Sequence, residues 1–180
     1  TDLAGNGALE EAFDRLEKCF LAIWDGMAGN DAYNRLVLAC GFDWREAAAM
    51  RGYGTYLRQI GAPFGQGYLA DTLQRHAGVT RDLMALYRHR FDPAGGKSGS
   101  ESDAEQEKIA RRIEEALEHI PSLDEDRIIR HYRNLILTTT RTNFYQRDGK
   151  GDPFPTISFK LDSKKVEGSP SPRPFAEIFV

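Results

Sequence analysis

Apolar positions recur at spacings of three and four from near the start of the chain, so the pattern predicts helices before anything else. From Ala8 to Met27, the residues Leu9, Phe13, Leu16, Phe20, Ile23, Trp24 and Met27 form a stripe close to a heptad, with Glu10, Glu11, Asp14, Arg15 and Lys18 off it. This is the signature of a long amphipathic helix packed within its own domain. Gly26, Gly29 and Asn30 interrupt it, and Ala32, Tyr33, Leu36, Val37 and Cys40 mark a short second helix ended by Gly41. Asp43 with Glu46 forms a capping signature for a third helix, which carries Trp44, Ala47, Ala48, Tyr53, Tyr56, Leu57 and Ile60 and stops at Gly61-Ala62-Pro63. Gly52 and Gly54 each weaken that helix by about 1 kcal/mol relative to alanine, so the sequence predicts close packing or a bend there. Tyr68, Leu69, Thr72 and Leu73 give a short helix before Gly78, and Thr80 caps another with Leu83, Met84, Leu86, Tyr87 and Phe91 on one side.

Residues 93–102 are Gly- and Ser-rich without an apolar anchor, which predicts a flexible linker. Ser102 with Glu105 then caps a helix lined by Ile109, Ile113, Ala116, Leu117 and Ile120, and Pro121 ends it. Ser122 with Glu125 makes a capping box for the helix expected from Ser122 to Gln146, and Asp124, Glu125 and Asp126 suit the free N–H groups of its first turn. Ile128, Ile129, Tyr132, Leu135, Ile136 and Thr139 share one face, while Arg127, Arg130, Arg133 and Asn134 take the other. After Gln146 the period changes. Ile157, Phe159 and Leu161 alternate with Ser158 and Lys160, giving strand candidates at Thr156 to Leu161 and Phe175 to Val180. Two strands are marginal in water and need a third strand or a helix to cover them. The expected fold is mainly α: a multi-helix bundle of about seven helices over 1–146, then a short β segment over 147–180 that is left incomplete.

Composition narrows the function. With 41% hydrophobic residues in 180, the chain can bury a core without disulfides or metal. A net charge of −3 and a pI near 5.8 argue against a nucleic-acid binder, although Arg127, Arg130, Arg133 and Arg141 could form a local basic patch. Cys19 and Cys40 fall among apolar neighbours and read as buried thiols, in keeping with a reducing cytoplasm. No apolar run approaches the roughly 20 residues that span a bilayer, and the N-terminus carries no signal core. The first residue is Thr1 rather than methionine, which suggests processing or a cut from a longer protein.

Candidate chemistry is sparse. Gly95-Gly-Lys-Ser98 resembles the end of a phosphate-binding loop, but Phe91 stands where its first glycine belongs and no strand precedes it. Gly61 to Gly67 contains no dinucleotide-binding turn. His76, His89, His119 and His131 lack metal-site spacing, and no serine sits in a nucleophile elbow. Glu114, Glu115 and Glu118 read as a solvated helix face. Lys160, Lys164, Lys165 and Arg173 form a cluster that could hold an anion, with a solvated edge or a domain contact as the plainer alternative. These residues make no self-contained active site.

Three blocks carry a resemblance: Arg51-Gly-Tyr-Gly-Thr-Tyr-Leu-Arg-Gln-Ile-Gly-Ala-Pro-Phe64; Arg90-Phe-Asp-Pro93; and Thr140-Arg-Thr-Asn-Phe-Tyr-Gln146 with Ile157 to Ser163 and Pro172 to Val180. From about Asp31 onward the chain resembles the large bacterial NAD-specific glutamate dehydrogenases. In these, a very long subunit carries regulatory domains, a helical region and then the catalytic domain. The resemblance implies a parent that oxidatively deaminates L-glutamate with NAD, as a homo-oligomer in the cytoplasm, in contact with neither nucleic acid nor membrane. It implies that this chain is the helical region with the opening strands of the α/β catalytic domain, a scaffold itself inactive and without bound NAD. The family's substrate loop, catalytic lysine and nucleotide fold would follow Val180, so no catalytic, cofactor-binding or metal residue transfers. Arg141, Asn143 and Lys160 match the family's blocks; ordinary helix-end and strand-edge roles are the plainer reading, with holding the helical region against the catalytic domain as the alternative, and the parent's own catalytic and regulatory domains are the expected partners. A stand-alone helical module for protein partners is the competing expectation. Its partner would lie along the apolar stripe or pair with Phe175 to Val180.

Overall fold

The computed structural model describes residues 3–95 and 100–180. Among these, the helices are α1 (Leu3–Trp24), α2 (Leu36–Ala39, entered by a 3-10 turn at Ala32–Arg35), α3 (Trp44–Gln59), α4 (Gln66–Arg75), α5 (Ala77–Phe91), α6 (Ser100–Leu117) and α7 (Leu123–Thr138). They lead into a three-stranded antiparallel sheet, β1 (Thr139–Thr142), β2 (Phe159–Leu161) and β3 (Glu177–Phe179), in that spatial order. The mainly α fold with a C-terminal β segment is therefore as expected from the sequence. The linker predicted over 93–102 falls largely on residues 96–99, which lie outside the described residues; Pro93–Gly95 forms a 3-10 turn before them. No described helix is long and apolar enough to cross a membrane.

Local capping signals explain the start of α3 and part of the start of α7. At α3 the capping box is complete: the Glu46 N–H donates to Asp43 Oδ1 at 2.7 Å, and the Asp43 N–H donates to Glu46 Oε2 at 3.1 Å. At α7 only half of the expected box forms. Ser122 Oγ accepts from the Glu125 N–H at 3.4 Å, but the Glu125 carboxylate is buried and turns to His76 Nε2 (2.7 Å) and to Arg75. Thr80 does not cap a helix either: α5 already starts at Ala77, and the Thr80 hydroxyl donates to the Leu73 carbonyl at 2.7 Å across the break between α4 and α5.

α1 packs on one side only. Cys19 and Ala22 are buried, whereas Leu9, Phe13, Phe20 and Trp24 are 56, 61, 60 and 78% exposed. The predicted packing of the stripe within its own domain thus holds for one flank of the helix and, within the stripe, for Ile23, which packs against Cys19, Val37 and Ala47.

The core is organised by tyrosines. Tyr33, Tyr53, Tyr56, Tyr87 and Tyr132 are among its largest fully buried side chains, and every phenol has a partner. Tyr33 donates to Gln66 Oε1 at 2.9 Å and meets Tyr132 at 2.8 Å. The other three reach the sheet: Tyr53 meets Thr139 of β1 at 2.9 Å, Tyr87 meets Thr142 of β1 at 3.1 Å, and Tyr56 donates to Glu177 of β3. β2 is held by its ring, since Phe159 stacks on Tyr53 with centroids 4.3 Å apart. The two α3 glycines make this possible. A Cβ on Gly52 would lie 2.8 Å from the Phe159 ring, and one on Gly54 would strike the Tyr33 hydroxyl and lie 2.7 Å from that of Tyr132. They permit close packing, without a break in the helix.

The helix expected to reach Gln146 ends at Thr138, and the residues beyond it form β1. Thr138, Thr139 and Thr140 are β-branched, which disfavours further helix and suits a strand. The hydroxyls of Thr138 and Thr139 close the last turn on the carbonyls of Asn134 and Leu135 at 2.9 and 2.7 Å. β1 is the third strand that the two predicted ones lacked. Those two are shorter than expected, because Thr156 and Ser158 belong to a loop clamped by Asn143, whose Nδ2 donates to the Thr156 carbonyl (2.9 Å) and whose Oδ1 accepts from the Ser158 N–H (2.7 Å). Arg45, itself buried in α3, ties the same loop down by donating to the carbonyls of Phe154 (2.8 Å) and Phe144 (3.0 Å).

Three substitutions test this packing. Gly54→Ala is expected to cost about 1–3 kcal/mol in urea unfolding by overpacking the tyrosine cluster. Gly67→Ala in α4, with open space around the added methyl, should instead stabilise by about 0.5–1 kcal/mol. Arg45→Ala leaves two carbonyls without their charged donor and should cost about 2–3 kcal/mol. Amide exchange should then accelerate over residues 143–158 while α4 and α5 stay protected.

Candidate functional site on the outer face of the sheet

The sheet has one dry face and one open face. Thr139, Phe159 and Leu161 point into the core, and Glu177 and Phe179 are half-buried beside them. A regular strand starting from buried Thr139 would turn Arg141 inward as well. Instead, the register shifts between Thr139 and Arg141: Thr139 pairs with Leu161, Arg141 with Lys160, and Thr142 with Phe159. Thr140 and Arg141 therefore stand together opposite Lys160, both exposed, which is the pattern of a β-bulge. The bulge places Arg141 on the open face directly across from another cation. Lys160 pairs on its other side with Ile178 of β3, which is 71% exposed.

Arg141, Lys160 and Lys164 line a concave space of about 580 Å³ with Thr140, Asp162 and Phe175. Phe175 is 85% exposed, and Lys164 Nζ lies 5.5 Å from its ring centroid. Asp162 is the carboxylate of the group, and it already pairs with Lys165 at 3.2 Å. Among the described residues, the Arg141 and Lys160 side chains have neither a hydrogen bond nor an ion pair. Arg173 points its guanidinium to main-chain carbonyls, reaching Lys164 at 2.8 Å and Ser169 at 3.3 Å, and so braces the loop behind the concavity. Of the predicted cluster of Lys160, Lys164, Lys165 and Arg173, the structure brings Lys160 and Lys164 to one concavity, with Arg141 added. Asn143, singled out with Arg141 and Lys160, has its amide oxygen and nitrogen occupied within its own loop.

Elsewhere the titratable groups are structural. Glu114 accepts from Arg130 at 3.1 Å and also from Arg133, so it is an interhelical tie between α6 and α7 as well as a wet-face residue. His119 Nδ1 lies 2.8 Å from the Glu115 carbonyl one turn earlier. Burial pushes the Cys40 thiol up to about 11 and raises that of Cys19, so neither is a reactive thiolate at neutral pH. Both cysteines are free and buried, as read from the sequence. Among the described residues, no group of three or more His, Cys, Asp or Glu side chains could hold a metal ion. Sequence reasoning missed two buried charges of α3: Glu46, which pairs with the half-exposed Arg88, and Arg45, which donates to main-chain carbonyls. Burial, then the Asp43 carboxylate, push the Glu46 carboxyl above its ordinary range. In the sequence, Glu46 offered only its capping role.

A smaller apolar hollow of about 220 Å³ lies beside β3, lined by residues that include Met27, Trp44, Ile157, Phe179 and Val180. It holds no cluster of polar groups suited to chemistry.

Two family models match the chain: glutamate dehydrogenase, helical motif 3, over residues 28–93, and bacterial NAD-glutamate dehydrogenase, catalytic domain, over residues 112–180. The NAD-specific glutamate dehydrogenase of Halomonas elongata is 43% identical over 172 residues, 96% of this chain and 10% of the relative. That of Pseudomonas aeruginosa is 40% identical over 96% of the chain and 11% of the relative. That of Mycobacterium tuberculosis is 34% identical over 92% and 10%. The chain thus spans about a tenth of the length of the curated relatives it matches. Through these two matched stretches, the chain belongs to the NAD-specific glutamate dehydrogenase family.

Proposed function

We propose that this chain is a segment of a long NAD-dependent glutamate dehydrogenase subunit and serves as the helical scaffold that fixes the first strands of its catalytic domain. The whole subunit would convert L-glutamate, NAD and water to 2-oxoglutarate, ammonia and NADH, as a homo-oligomer in the cytoplasm. One observation carries the scaffold role: the stretch matching the helical motif supplies Tyr53, Tyr56 and Tyr87, and their partners Thr139, Thr142 and Glu177 lie in the stretch matching the catalytic domain. The two stretches share one core.

The residues present do not fit NAD. The three strands are antiparallel, and among the described residues no strand runs through a glycine-rich turn into a helix as a dinucleotide cradle requires. Hydride transfer belongs to parts of the subunit outside this segment. β3 offers those parts a docking edge. It pairs only with β2 among the described residues, and Ile178 and Val180 beside that edge are 71 and 70% exposed. A further strand of the catalytic domain would add there. The competing reading, a helical module for protein partners, is favoured by the exposed stripe on α1.

The 180-residue chain is expected to give no glutamate-dependent NADH formation and no micromolar NAD binding by calorimetry, while the full-length subunit gives both. In the full-length subunit, the amides of Glu177 to Phe179 should exchange more slowly than in the isolated chain. Micromolar NAD binding to the isolated chain would overturn the scaffold reading. A full-length subunit that does not reduce NAD with glutamate would overturn the dehydrogenase reading.

A further inference from the structure

Arg141 and Lys160 pose a problem that packing does not explain. Like charges directly opposite on neighbouring strands destabilise a sheet. Here the pair exists only because a bulge turns Arg141 away from the core and towards Lys160. Bulges occur at sheet edges and beside active sites, where they re-aim a side chain, and this one, on edge strand β1, re-aims Arg141 onto the face that carries Lys160. Lys164 adds a third cation to the same concavity, and the carboxylate there, Asp162, is already paired with Lys165. The surplus positive charge has no counter-charge among the described residues.

We propose that this concavity binds a small organic phosphate, with the phosphoryl group on Arg141 and Lys160 and the organic part against Phe175. Arginine presents paired donors that match the oxygens of a phosphoryl group, and lysine adds a point charge. A dianion neutralises the cross-strand pair, so the unfavourable contact becomes favourable on binding. The volume of about 580 Å³ holds more than an inorganic ion and lies in the range of small-molecule sites. Phe175, 85% exposed at the rim, gives an aromatic base a stacking face, and Lys164 lies beside the same ring. A mononucleotide combines these features. Every residue of the site lies in this chain, so the proposal stands or falls separately from the dehydrogenase reading.

The test is calorimetric titration of the 180-residue chain at low ionic strength with AMP, adenosine and inorganic phosphate. AMP should bind with a Kd on the order of 100 μM, and adenosine and phosphate each at least about tenfold more weakly. Arg141→Gln and Lys160→Gln should each weaken AMP about tenfold or more while the melting temperature is kept. AMP binding should also weaken as pH falls from about 7.5 to 5, since the phosphate monoester loses its second charge with a pKa near 6. Lys160→Glu, which sets a carboxylate opposite Arg141, should abolish AMP binding and raise the melting temperature by about 1–3 °C. The proposal is overturned if AMP shows no binding up to about 10 mM, if adenosine binds as well as AMP, or if binding survives Arg141→Gln with Lys160→Gln.

Discussion

A buried phenol must find a hydrogen-bond partner or lose a few kcal/mol, and this one constraint fixes how the sheet sits on the helices. Tyr53, Tyr87 and Tyr56 satisfy it across the boundary between helices and sheet, at Thr139, Thr142 and Glu177 in turn. Each bond contributes only about 1 kcal/mol net, yet leaving its partner unpaired in the core costs about 1–3. Hydrophobic contact alone would let the small sheet slide on the bundle; the phenols specify one position. Burial raises the pKa of Tyr53, Tyr56 and Tyr87, so all three remain protonated, hydrogen-bonding groups throughout the neutral range. Gly52 and Gly54 belong to the same device, since side chains there would occupy the space of the Phe159 ring and the tyrosine hydroxyls.

With the inner face so constrained, the outer face is left to carry whatever is not about stability. Lys160 illustrates the division: its strand neighbours Phe159 and Leu161 are each 1% exposed, while it points outward between Arg141 and Ile178. A chain optimised for folding alone would place a carboxylate or a threonine opposite an arginine there. Local rules broken without a structural gain mark functional positions. Asn143, two residues beyond Arg141, shows the contrast, because its amide nitrogen and oxygen both bond within its own loop.

Much of the helical part was legible in the sequence because its signals are local. Asp43 and Glu46 announce α3, the spacing of Ile128, Ile129, Tyr132, Leu135 and Ile136 announces α7, and the glycines of α3 mark its close contacts. What failed to show were decisions made by distant partners. Thr139 continues the helical spacing of α7, and only pairing with Leu161, far along the chain, converts it to a strand. Glu125 looked like the second half of a capping box until His76 and Arg75 arrived from another helix. The candidate site was half legible: a lysine cluster is visible in the sequence, but the bulge that adds Arg141 is a property of register and has no signature of its own.

Register also ties the scaffold to the site. α7 runs into β1 without a loop, and the hydroxyls of Thr138 and Thr139 lock the last helical turn to the first strand residue. A displacement of α7 would therefore move Thr139 and carry the bulge with it. Tyr53 and Tyr87, from α3 and α5, hold the two ends of β1 on either side of that bulge. The position of Arg141 is thus set by three helices at once, through bonds to its neighbours and none to its own side chain. The backbone that carries the guanidinium is fixed before any ligand arrives, so binding does not have to order it.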